Sequence, residues 1–84
     1  MFAFLRKRIL TEHMKLVAQT YKALAYLGAF LPPATGQQYS EYLRHVNSSW
    51  QPGERLNDDA LRILVDINKD LRRAYDASPA MALV

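Results

Sequence analysis

The strongest constraint on this chain is an apolar stripe near its start that runs into two adjacent prolines. Leu10, Met14, Val17, Tyr21, Leu24, Gly28 and Leu31 are spaced 4, 3, 4, 3, 4, 3. That spacing keeps them along one side of an α-helix. Ile9, Leu16, Ala23, Leu27 and Phe30 widen the stripe, and Arg8, Glu12, Lys15, Gln19 and Lys22 line the opposite side. The pattern is that of an amphipathic helix facing a core, expected over about residues 3–31. Pro32-Pro33 ends it, because proline lacks the amide proton and disfavours helical geometry in the residue before it.

Two further helices follow by the same logic. Thr35 with Gln38 three residues later has the form of a capping box, and Tyr39, Tyr42, Leu43 and Val46 then share a face. A second helix is therefore expected over about residues 36–48, with Gln51-Pro52-Gly53 as the break. Asn57 is a good N-cap, and Asp58 and Asp59 sit where the helix dipole favours negative charge. Ala60, Leu64, Ile67, Leu71 and Ala74 carry the core face of a third helix, expected over about residues 58–76. Asp58–Arg62 and Arg62–Asp66 are spaced for surface ion pairs. Nothing calls for a strand, so the fold class expected is all-α: one small three-helix bundle over residues 1–84 with a long first helix.

At 84 residues the core of such a domain is thin, and small domains often compensate with disulfides, a metal or self-association. There is no cysteine, which fits a reducing compartment and an expected cytoplasmic location. His13 and His45 lie far apart without a second ligand type at helical spacing, so no metal is expected. The basic opening and the apolar run Ala23–Leu31 superficially resemble a signal peptide, but the run begins late and is too short to span a membrane. Asn47-Ser48-Ser49 matches a glycosylation acceptor, which matters only in a secretory setting.

Catalytic chemistry finds little support. Ser48 and Ser49 lie near His45, but without the strained elbow that presents a nucleophile. Helix solvation explains Glu12 beside His13, and dipole matching explains Asp58-Asp59. The chain is expected to be no enzyme, with no catalytic residue, cofactor or small-molecule substrate.

Surfaces remain. Helix lengths of roughly 40, 18 and 30 Å leave the opening turns of the first helix hard to cover, which makes Phe2, Phe4 and Leu5 candidates for exposure. The alternative has the 47–57 connection, with Trp50, folding over them. Tyr26 continues the polar stripe and is an isolated interface candidate. The apolar tail, with Met81 and Leu83, offers another. Arg6, Lys7, Arg8 and Lys15 form a basic patch in a chain of formal charge +3. The expected function is a non-enzymatic protein–protein interaction module: an adaptor, a regulator or inhibitor of another protein, or a small subunit, with a second protein or a further copy as partner. One alternative is nucleic-acid binding through the basic amino-terminal helix, although Asp58 and Asp59 would repel phosphate at the start of a recognition helix. Another is contact with an anionic membrane surface through Phe2, Phe4, Leu5 and the adjacent cations.

Overall fold

The computed structural model describes residues 2–77, with side chains described from residue 6 onward. Among the described residues there are three α-helices, α1 (Phe2–Leu27), α2 (Pro33–Ser49) and α3 (Asp58–Asp76), a 3-10 turn at Gly28–Phe30 and no strand. His13 near the start of α1 meets Leu56 just before α3. At the other end Phe30 meets Tyr75 edge to face, with ring centroids 5.3 Å apart. The helices α1 and α3 therefore run parallel, and α2 returns between them. The chain is an all-α three-helix bundle.

The proline pair moves two expected boundaries. Pro32 forces Leu31 into extended backbone (φ −90°, ψ 154°), so α1 closes at Leu27 and the remaining turn tightens to 3-10 geometry rather than continuing to residue 31. The second helix starts earlier than the Thr35–Gln38 box implies. Pro33 occupies its first position, where no amide proton is needed, and the Gly36 N–H already donates to the Pro32 carbonyl at 3.0 Å. Thr35 thus lies inside α2 and caps nothing. At its other end α2 carries on through Asn47-Ser48-Ser49, where both serine hydroxyls donate to the His45 backbone carbonyl at 2.9 Å. Trp50 then leaves the helix in extended geometry.

The third helix matches its expected span. Asn57 Oδ1 accepts the Ala60 N–H at 2.7 Å, and Asp58 and Asp59 occupy the first turn. Its ion pairs differ from the expected ones. Arg62 pairs with Asp59 at 3.3 Å and Arg55 with Asp58 at 3.6 Å, all well exposed. Such pairs add little stability.

One core cluster joins Val17, Leu43, Val46, Trp50, Leu56, Ala60 and Leu64, and a second joins Leu31, Ile67 and Leu71. Trp50 is buried in the first cluster, and its indole N–H donates to the Glu54 carbonyl at 2.8 Å. The buried side of α1 is turned away from the stripe read in the sequence. Its centre passes through His13, Val17 and Thr20, while Met14 and Tyr21 are 41% and 40% exposed.

Two polar side chains hold that side, each by a bond to α3 or its approach. His13 Nδ1 accepts the Leu56 N–H at 3.1 Å, which places the proton of the neutral ring on Nε2. Thr20 Oγ1 donates to the Leu16 carbonyl and accepts from Asn68 Nδ2, both at 2.7 Å. A buried polar group left without a partner costs about 1–3 kcal/mol, so these contacts select one sliding register of α1 against α3. His13, which lies far from His45 in sequence, is thus a structural residue.

Candidate functional site

The register just described leaves the start of α1 beyond the bundle. Leu56 sits level with His13, and α3 begins two residues later. The stretch of α1 preceding His13 is about 16 Å long at 1.5 Å per residue, so it reaches past the first turn of α3. Arg6 and Ile9 precede His13 by seven and four residues and share its side of the helix. Ile9, on the side that becomes core one turn later at His13, is 49% exposed.

A groove of about 640 Å³ lies here, lined by Arg6, Ile9, Leu10 and His13 on one side and by Gly53, Glu54 and Arg55 on the other. The turn that forms the far wall depends on local chemistry. Gly53 has a φ of +97°, a backbone region that side-chain-bearing residues rarely adopt. The Glu54 N–H donates to the Gln51 carbonyl at 3.0 Å. Anchored by Trp50 on one side and Leu56 on the other, the turn stands beside α1 without closing over it. The 47–57 connection therefore walls the overhang, while Trp50 itself packs into the core.

The groove combines an apolar floor with charged edges. Arg6 and Arg55 supply two cations and Glu54 one carboxylate, and Arg55 is held loosely by Asp58 at 3.6 Å. Among the described residues expected to bind, Arg6 alone lines this groove. Arg6, Lys7 and Arg8 are all exposed, and successive helix positions 100° apart direct them to three different sides. Lys15 lies further along, paired with Glu12 at 3.6 Å. The four cations are thus no single patch.

Tyr26 is 72% exposed, but it stands about 26 Å along the helix from Ile9 and shares no surface with the groove. The side chains of Phe2, Phe4 and Leu5, and the tail residues Met81 and Leu83, lie outside the described residues. Sequence reasoning missed Ile9, Leu10 and Arg55. Ile9 and Leu10 were assigned to the core stripe, and the available signal was the length mismatch between α1 and the other helices.

Other features carry less. A hollow of about 350 Å³ between the end of α2 and the start of α3 is lined by Trp50, Glu54 and neighbours. Among the described residues no three His, Cys, Asp or Glu side chains cluster as metal ligands, and no helix is long and apolar enough to cross a membrane. The hydroxyls of Ser48 and Ser49 are directed at the His45 backbone carbonyl. That orientation does not build a nucleophile–base pair. Comparison with protein-family models, with curated proteins and with solved structures gave no match.

Proposed function

We propose that this protein is a non-enzymatic interaction module that docks another protein against the overhanging start of α1. One observation carries the reading. The side of α1 that is core from His13 onward continues as Ile9 and Leu10 past the start of α3, and there it faces an open groove. Covering a side chain the size of isoleucine contributes about 1.5–3 kcal/mol, so a partner that fills the groove gains from surface that the described residues leave open.

A photo-crosslinking residue placed at Ile9, compared with one at Arg72 on the outer side of α3, tests the proposal in extract of the source cell. The expected result is a discrete protein adduct at position 9 that is absent at position 72. Equal labelling at both positions, or adducts to lipid or nucleic acid alone, would count against it.

A further inference from the structure

The chemistry of the groove narrows what fits it. We infer that its occupant is an acidic amphipathic segment of a different protein, with apolar side chains seated on Ile9 and Leu10 and carboxylates at Arg6 and Arg55. This rests on the docking role proposed above and names the class of partner.

Charge complementarity supplies the first argument. Two arginines and one glutamate line the groove, and Lys7 and Arg8 add to the positive field around it. Arginine pairs with carboxylates through a planar fork of donors. The Arg55–Asp58 contact is exposed at both ends, at 3.6 Å, so Arg55 can turn to a partner carboxylate at little cost.

A second copy of this chain is a poor occupant. Two overhangs brought together at their grooves would oppose Arg6 and Arg55 with the same cations. The carboxylates of α3 are interleaved with Arg62, Lys69, Arg72 and Arg73, and Asp59 and Asp76 are already paired within the helix. Among the described residues, no apolar face edged by acids is offered in return.

A lipid surface fits no better. Cations that point to three sides of a helix cannot all meet one plane, and the apolar floor is concave, with Glu54 at its edge. Nucleic acid would meet Glu54 and then Asp58 and Asp59 at the head of α3, which repel phosphate.

The test is fluorescence anisotropy with the full chain and a labelled helical peptide of about 18 residues. The peptide carries Leu at i, i+3, i+4 and i+7 on one face, with Glu flanking it. Companion peptides exchange every Glu for Lys, or every Leu for Ser. Phosphatidylserine vesicles and single-stranded DNA are run in parallel. The acidic peptide should saturate at an order of micromolar concentration, and the two companions should bind at least about tenfold more weakly. Ile9→Ser and Arg6→Glu should each weaken binding about tenfold or more. Lys69→Glu makes the same charge change on the outer side of α3 and should alter binding by less than about twofold. Circular dichroism melts establish that each variant is folded.

Binding of the Lys peptide as tightly as the Glu peptide, lost in Ile9→Ser, would overturn the acidic partner and leave the docking role standing. So would failure of every peptide while position 9 still crosslinks to protein. Binding confined to vesicles, to DNA or to a second copy, seen as a dimer by light scattering, would overturn both.

Discussion

From His13 to Leu27, α1 has α2 and α3 against its inner side; from Arg6 to Leu10, the same side of the same helix has, among the described residues, only a turn beside it. The embedded stretch places polar residues, His13 and Thr20, at the middle of its buried side. The overhang places apolar ones, Ile9 and Leu10, where solvent reaches them. This is the reverse of what hydrophobicity alone would arrange. Both of these polar side chains have a partner brought to them by α3 or its approach. The overhang has no such neighbour, and its apolar residues have nothing within the described chain to cover them fully. Polarity therefore marks where the fold is specified, and exposed apolar area marks where a second molecule would add to it.

That contrast can be broken by substitution, beginning with the largest effect. Leu64 is fully buried, and Leu64→Ala should lower unfolding free energy by about 2–5 kcal/mol. Urea denaturation measures this, and a loss below one kcal/mol would mean that the embedded half is not close-packed. Next, His13→Ala leaves the Leu56 N–H without its acceptor and should cost about 1–3 kcal/mol. If the variant unfolded at the same urea concentration as the parent, the His13–Leu56 contact would not set the register of α1 on α3. Ile9→Ser in the overhang should change stability by no more than about 0.5 kcal/mol while abolishing the crosslink at position 9's surface when the probe is moved to Leu10. A large stability loss would show Ile9 to be core after all.

The smallest effect appears only at high pH and belongs to the embedded half. Tyr39 donates to Asp70 Oδ2 at 2.5 Å. That hydrogen bond to the carboxylate, together with burial, pushes the phenol up to about 12. A folded value above the unfolded one near 10 means that this contribution to stability is fully present below pH 10 and is lost as pH rises toward 12. In an ultraviolet titration the tyrosinate step near 12 should vanish in Tyr39→Phe. The stability difference between the two proteins should shrink across the same interval.

Much of the architecture was legible from the residues alone. Asn57 followed by two aspartates announced the start of α3, because an N-cap and the dipole act within one turn. Gln51-Pro52-Gly53 announced the second break for an equally local reason. The start of α2 was misread because a capping box and a proline pair compete within a few residues, and proline's preset φ won. The inner side of α1 was misread because a helical period gives the width of a stripe more reliably than its centre. Histidine and threonine count as polar until a donor or acceptor across the bundle is known. The docking candidates divided in the same way. Arg6 was found from charge, while Arg55 and the groove depended on a turn that the chain brings back from more than forty positions away.

Local chemistry, then, determined that this chain forms three helices with two sharp interruptions, because periodicity, capping and proline geometry act between near neighbours. Only the tertiary structure decided how far α1 slides along α3. That offset depends on which buried donor meets which acceptor across the seam. It is the offset that leaves Ile9 and Leu10 outside the bundle, facing Arg55.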